Sequence, residues 1–448
     1  MSRPAKLPPI FRAVVEPIRV FFRLEATGGI LLFAAAVGAL VWANSPFGAF
    51  YRSLLSLQAT IGVGSASVHF TVAELVNDGL MSIFFFVVGM EIKRELVLGE
   101  LRTPSRALLP AIAAMGGMIV PAGLYLAFNA GRPGASGWAI PMATDIAFTI
   151  GCLTLLKGRV PHALVVFITA LAIFDDLGGI LVIAFFYGHG LHVDWLLGAL
   201  AVTGLLYLFN RFYVRNPAAY VLGGMALWYM LHHGGIHATI SGVILGMMIP
   251  ARQPRPMREI LDELRAYASQ LLSRPEDEYL QNEQLLHIEQ TLEEVETPLN
   301  RFVHALHPWV AYVIMPVFAL ANSGILLSGI SLADLGDRVV LGSIVGLFFG
   351  KQVGVFLFTL AALKLRFSTM PGGASIAQLY GVSVLTGIGF TVALFIAGLA
   401  FPDSAHLLDQ AKLGILLGSL VSGVVGYVFL RLLKVRPAPP AAAPSVPA

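Results

Sequence analysis

Cysteine is nearly absent from this 448-residue chain: Cys152 stands alone, so no disulfide can form within it. Charge is scarce as well. Asp, Glu, Lys and Arg together make up 12% of the residues, against roughly 25% in soluble domains, which excludes an ordinary water-soluble globule. The chain also lacks the short alternating segments of an outer-membrane β-barrel. A cleavable leader is not expected either. Residues 1–23 are basic and contain proline, and the apolar run that follows is too long for a signal peptide and has no small-residue cleavage site. A net charge of +3 says little about partners when most of the surface faces lipid, and nothing points to nucleic acid.

What is abundant is apolar length. Hydrophobic residues are 57% of the chain and its mean hydropathy is +0.78. Crossing a hydrocarbon core takes about 20 helical residues. Ten runs qualify, at 26–43, 74–92, 108–128, 138–156, 162–187, 194–210, 308–328, 339–363, 377–401 and 413–432. The stretch 217–249 is either one long helix or two short ones around His232, His233, Gly234 and Gly235. Lys and Arg collect in cytoplasmic loops, and they decide the count. Arg3, Lys6, Arg12, Arg19 and Arg23 put the N-terminus in the cytoplasm, and Arg431, Lys434 and Arg436 put the C-terminus there. The number of spans is then even. Dividing 217–249 gives twelve and makes every even-to-odd loop basic, whereas a single helix breaks the pattern for half the chain. The reading is an all-α polytopic membrane protein of about twelve transmembrane helices. A cytoplasmic tail (1–25) precedes spans 1–8 (26–250), and an acidic helical insertion (251–301) separates them from spans 9–12 (302–433). A disordered Pro/Ala-rich cytoplasmic tail (434–448) ends the chain. The insertion carries eleven acidic residues from Glu259 to Glu296, and its leucines recur at helical spacing, which predicts an accessory helical hairpin.

Four ionisable residues sit in the middle of these runs: Asp145, Asp175, Asp176 and Lys351. A charge at the bilayer centre costs about 2.5–3.5 kcal/mol on insertion scales. Repeating that cost four times implies a use, most often an ion or proton pathway. Two spans are also interrupted at mid-membrane. The fourth has Pro141 just before Thr144 and Asp145, and proline removes a helical hydrogen bond. The eleventh reads TGIGFT, with Gly387 and Gly389 easing an unwound turn. Glycine also serves close helix packing, but matching interruptions in two parts of a chain point to a binding site.

Several strings in order are similar to a known family: VNDGLMSIFFFVVGMEIKREL (76–96), WAIPMATDIAFTIG (138–151), ALAIFDDLGGI (170–180), GGIHATISGVILG (234–246), HALHPWVAYVIMPVFALANSG (304–324), GKQVGV (350–355) and TGIGFTVALFIA (386–397). The chain resembles the NhaA-type sodium/proton antiporters of bacteria across nearly its whole length, except 252–301 and the tails. The resemblance implies inverted repeats whose interrupted helices, spans 4 and 11, cross. It implies electrogenic, pH-regulated export of Na⁺ or Li⁺ driven by entering H⁺ at the bacterial inner membrane, for sodium and pH homeostasis, with no cofactor and no enzymatic activity. Asp176 is then a direct Na⁺ ligand, Asp175 a proton carrier and ligand, and Asp145 and Thr144 lie near the crossing.

The residue chemistry agrees. Na⁺ is a hard cation that wants oxygen ligands, and Asp175 and Asp176 supply carboxylates from one helix, with Asp145, the Thr144 hydroxyl and freed carbonyls able to complete a shell. Neighbouring carboxylates in a poorly solvated site titrate as a group. Asp145 could equally cap the half-helix that follows it, a role compatible with transport. For Lys351 three roles stay open: balancing helix-end charge, pairing with Asp175, or releasing a proton when that pair breaks.

A second group is a candidate for pH response: Asp78, Glu91, Glu95, His237, His304 and His307, since histidine titrates near neutrality. The family places a pH-responsive cluster here but often has an acidic residue where this chain has Val303. The loop from Asn44 to Thr71, with strands expected within Ile61 to Val68, resembles the family's external hairpin and implies a homodimer. The closest rival reading is a cation/proton antiporter with another cation preference. An intramembrane aspartyl protease needs an aspartate after a GxG turn on a second helix, where this chain has Phe390.

Overall fold

The computed structural model describes residues 27–433 except 64–65, 157, 189, 253–254, 274–284, 289–290, 292–295 and 328–333. Both predicted tails and most of the second arm of the predicted insertion hairpin lie outside the described residues. The elements in chain order are α1 (Thr27–Ala43), α2 (Gly48–Leu55), β1 (Gln58–Val63), β2 (Ala66–Thr71), α3 (Val72–Val97), α4 (Pro104–Asn129), a 3₁₀ segment (Pro133–Met142) and α5 (Ile146–Leu155). There follow α6 (His162–Phe186), α7 (Val193–Arg211), α8 (Pro217–Gly234), α9 (Ile240–Met248) and α10 (Met257–Ser273). The last are α11 (Pro298–Asn322), α12 (Arg338–Lys364), α13 (Ile376–Leu385), α14 (Phe390–Ala400) and α15 (Ala405–Leu432).

Among the described residues, seven helices are long and apolar enough to cross a membrane, or up to ten if each bent pair is one span. Each of these ten overlaps one of the ten apolar runs, with α11 (Pro298–Asn322) beginning ten residues before the run 308–328 expected there. The stretch 217–249 is divided as the charge pattern requires: Gly235 adopts the left-handed conformation (φ +80°) and ends α8, and α9 begins at Ile240. Neither α8 nor α9 meets the same standard of length and composition. The loop expected from Asn44 to Thr71 holds more order than its sequence suggests. An eight-residue helix, α2, turns back at 113° to α1, with Tyr51 buried and its hydroxyl donating to Leu320 O at 2.7 Å. An antiparallel hairpin follows, pairing Gln58 with Thr71 through Val63 with Ala66, longer at both ends than the strands expected. Thr71 and Glu74 then form a capping box that starts α3.

The chain divides into two compact units, one of Met1–Ser53, Pro104–Gly179 and Ala319–Ala448, the other of Leu54–Thr103 and Ile180–Phe318. In the first, α4 and α12 pack backbone to backbone: a Cβ on Gly354 would come within 2.1 Å of Gly116 O. Gly350 and Gly346 continue that stripe one and two turns earlier, seating against Pro121 and Pro141 respectively. Small residues at such spacing let membrane helices approach closely. The α-helical bonding of α12 gives way to a wide π turn at Gly346–Gly350, directly before Lys351.

In the second unit, Lys93 on α3 donates to Met247 O (2.8 Å) and Ile249 O (2.6 Å). Its ammonium thus closes the C-terminal end of α9, where carbonyls have no partner within the helix. Gly89, Gly242 and Gly246 bring α3 and α9 together by the same small-residue device. The ends of the insertion also meet here, with Leu299 N–H donating to Pro250 O at 3.1 Å.

Candidate site at the crossing of two interrupted helices

Two broken helices of the first unit meet at their breaks. The segment Pro133–Met142 and α5 form one pair, bent by 43°, and α13 and α14 the other, bent by 45°. Pro141 lies near the end of the first half, and Ala143 is extended (φ −74°, ψ 147°). In the second break, Gly387 and Gly389 face Leu347 of α12 and the chain at Ala143: their Cβ atoms would fall 2.4 Å from Leu347 O and 2.9 Å from Ala143 O. The glycines predicted to ease unwinding thus also permit the approach of two other backbones.

Asp145 joins the two breaks. Its N–H donates to Ile388 O at 2.6 Å. Its Oδ1 accepts from Phe148 N–H at 3.0 Å, making it the N-cap of α5. Its Oδ2 accepts from the Thr391 hydroxyl at 2.6 Å and from Thr391 N–H at 3.2 Å. Thr391 opens α14, so one carboxylate serves the first turns of two half-helices, where free N–H groups and the helix dipole favour negative charge. The capping role left open by the sequence is therefore real and is carried by Oδ1, while Oδ2 serves the start of α14.

Asp175 lies in the middle of α6 with its side chain fully buried. Its Oδ2 accepts from Lys351 Nζ at 2.5 Å and lies 2.8 Å from Thr144 Oγ1. Thr144 Oγ1 is also 3.0 Å from Thr386 O. A hydroxyl has one proton to donate, so Thr144 serves either the carboxylate or the carbonyl at any moment. Asp175 Oδ1 is buried and has no hydrogen-bond partner among the described residues. Asp176, the next residue, is 5% exposed. Lys351 is wholly buried. Of the three roles open to it, the structure shows the ion pair with Asp175. Asp175, Thr144 and Lys351 thus come together, Asp176 follows on α6 and acts electrostatically on Lys351, and Asp145 lies one residue along the break with its oxygens turned to the helix ends.

The site has the donor set of a hard-cation site rather than of a transition-metal site. Its atoms are carboxylate, hydroxyl and carbonyl oxygens, and among the described residues no group of three or more His, Cys, Asp or Glu is placed to hold a metal ion. Thr391 as the partner of Asp145, and the π turn that carries Lys351, went unread in the sequence. The first is 246 residues away from its partner, and the second leaves no mark on apolar periodicity.

The six pH-response candidates do not form one cluster. Asp78 lies in a π turn near the start of α3, with its Oδ1 3.9 Å from His237 Nε2, and His237 Nδ1 is 3.1 Å from Thr239 Oγ1. Glu91 and Glu95 lie more than three turns further along α3, where His307 and Arg94 act electrostatically on Glu91, and Glu95 Oε2 accepts from Glu100 N–H at 3.1 Å. His304 is exposed and paired with Glu296 at 2.9 Å. Helical rise separates the groups: thirteen residues from Asp78 to Glu91 amount to about 20 Å.

A family profile described as Na⁺/H⁺ antiporter 1 matches residues 19–430. A protein of Myxococcus xanthus named Na(+)/H(+) antiporter NhaA 1 is 62% identical over 435 residues, 97% of each chain. One of Anaeromyxobacter sp. named Na(+)/H(+) antiporter NhaA is 59% identical, covering 95% of this chain and 93% of its own. One of Oleidesulfovibrio alaskensis with the same name is 47% identical, covering 96% and 97%.

Proposed function

The chain belongs to the Na⁺/H⁺ antiporter 1 family, and from that premise we propose that it exchanges cytoplasmic Na⁺ or Li⁺ for external H⁺ at Asp175 and Asp176. The observation that carries this reading is the division of labour on Asp175. One oxygen is held by Lys351 and Thr144, and the other is buried with no hydrogen-bond partner among the described residues. An unpaired polar atom in a dry interior is costly, and a proton or a cation relieves that cost. The two ligands compete for the same oxygens.

Coupling follows from that competition. The site changes sides when loaded with protons or with a cation and stays in place when empty and deprotonated, so the two flows run in opposite directions. Asp176 is the direct cation ligand. Asp175 carries a proton and ligates the cation, and arrival of a cation breaks its pair with Lys351. More than one proton enters per cation, so transport is electrogenic. Asp145 holds the two half-helices together at the crossing rather than ligating the ion with its own carboxylate. The Asp78–His237 pair and the Glu91, Glu95, His304 and His307 group set the pH response from two separate places. The protein works in the bacterial inner membrane with twelve spans and both termini cytoplasmic, and as a homodimer through the β1–β2 hairpin.

The experiment is a pH-gradient assay in proteoliposomes. Added Na⁺ or Li⁺ should collapse the gradient in the wild type. Asp176→Asn should abolish that response while leaving a folded, monodisperse protein. Exchange at wild-type rates by Asp176→Asn would refute the assigned site.

A further inference from the structure

On one side, the Lys351–Asp175 pair faces a position of α4 that offers no side chain. On α4, a Cβ built on Gly117 would lie 2.9 Å from Val355 Cγ2, 3.5 Å from Lys351 Nζ and 3.7 Å from Asp175 Oδ1. That last atom is the carboxylate oxygen with no hydrogen-bond partner among the described residues. Gly117 therefore stands opposite the free side of the pair.

Its neighbour Gly116 shows what a packing glycine looks like here. A Cβ there would meet the backbone at Gly354 O, 2.4 Å away, and the Phe358 ring at 2.5 Å. A backbone atom cannot turn aside, so α4 needs glycine at 116 to lie against α12. Gly117 is different. Its tightest neighbour is a side-chain methyl, which yields by a small shift or a rotamer change, and its other two neighbours are the charged atoms of the site. Packing accounts for Gly116 and leaves Gly117 only partly explained.

We infer that Gly117 is a specificity-determining residue for the transported cation. The side chain it lacks leaves room beside Asp175 Oδ1, and that room fixes how large a cation the carboxylate oxygen accepts. Selectivity among hard cations turns on cavity size and ligand number. A methyl group at 117 comes into van der Waals contact with Asp175 Oδ1 and narrows the site without replacing any ligand atom, and it penalises Na⁺ more than the smaller Li⁺. This inference rests on the assignment of Asp175 as a ligand.

The test compares half-saturating Na⁺ and Li⁺ in proteoliposomes for the wild type, Gly117→Ala, Gly117→Ala/Val355→Ala and Gly123→Ala. A Cβ on Gly123, on the same helix, meets nothing within 4 Å, so Gly123→Ala should behave as wild type. Gly117→Ala should raise half-saturating Na⁺ by about tenfold more than half-saturating Li⁺, the scale on which one methyl discriminates in a fitted pocket. The double variant removes the Val355 contact and should keep that altered ratio. It also carries the test if the single variant folds poorly. An unchanged Na⁺/Li⁺ ratio in both variants, or a ratio restored by Val355→Ala, would overturn the inference, because Gly117 would then matter only for helix packing. Asp175→Asn, measured alongside, separates the two failures: wild-type exchange by that variant removes Asp175 from the site whatever Gly117 does.

Discussion

At the scale of the residue, the site rests on carboxylates that do different work at one crossing. Asp175 has one oxygen with no hydrogen-bond partner among the described residues, whereas both oxygens of Asp145 accept bonds from the first turns of α5 and α14. Thr391 supplies two of the bonds that hold Asp145, and a hydrogen bond to a carboxylate contributes about 1.5–3 kcal/mol. Thr391→Val keeps the shape and the backbone N–H but loses the hydroxyl, so thermal unfolding in detergent should show a loss of about that size, and Thr391→Ser should recover most of it. A valine variant as stable as wild type would remove Asp145 from its bridging role. The four mid-membrane charges were legible in the sequence because insertion cost makes them conspicuous. Their partnerships were not. Asp175 and Lys351 are 176 positions apart, and no local pattern states which carboxylate meets the lysine and which meets a helix end.

At the scale of the element, interruptions do the positioning. The breaks at 143–145 and 386–389 were announced by Pro141 and by the glycine pair, since both residues carry backbone consequences that survive any context. The division of 217–249 was legible from loop charge, and Gly235 supplies its stereochemical reason. The π turns of α3 and α12 were not, because an extra residue in one turn leaves apolar composition unchanged. They occur at Asp78 and directly before Lys351, and such turns gather at functional sites. Helix α10 has its own electrostatic anchor. The Tyr267 hydroxyl donates to Glu263 at 3.0 Å and Arg255 pairs with it at 2.8 Å. These two partners hold the Glu263 carboxyl below its ordinary value. A depressed value in the folded state means that the contribution is present above the ordinary carboxylate range and is lost as pH falls through the folded value. Protection of the amides across Met257–Ser273, taken relative to their intrinsic exchange at each pH, should therefore fall in the wild type as pH drops below about 4.3, and Glu263→Gln should flatten that dependence. Equal pH dependence in both proteins would show that the contact does not anchor the helix.

At the scale of the whole molecule, apolar length made the class legible, and the order of the motifs made the family legible. What length could not supply was the count. Ten spans stand out, whereas α8 and α9 fall short of the usual standard and were counted only because basic loops demand an even number. Residues 252–301 matched none of the motif strings, and the structure gives a reason to treat them as an addition. Removing residues 256–298 should leave Na⁺-dependent gradient collapse intact and alter at most its pH profile. Loss of exchange by a deletion that remains monodisperse would mean that the segment belongs to the transport machinery. The bond from Leu299 to Pro250 has a practical corollary. Chain entering and chain leaving pass through one narrow neck, so a fluorescent or antibody-binding domain with adjacent termini can be spliced in there without prying the bundle apart, a ready handle for imaging a protein that otherwise hides in fat.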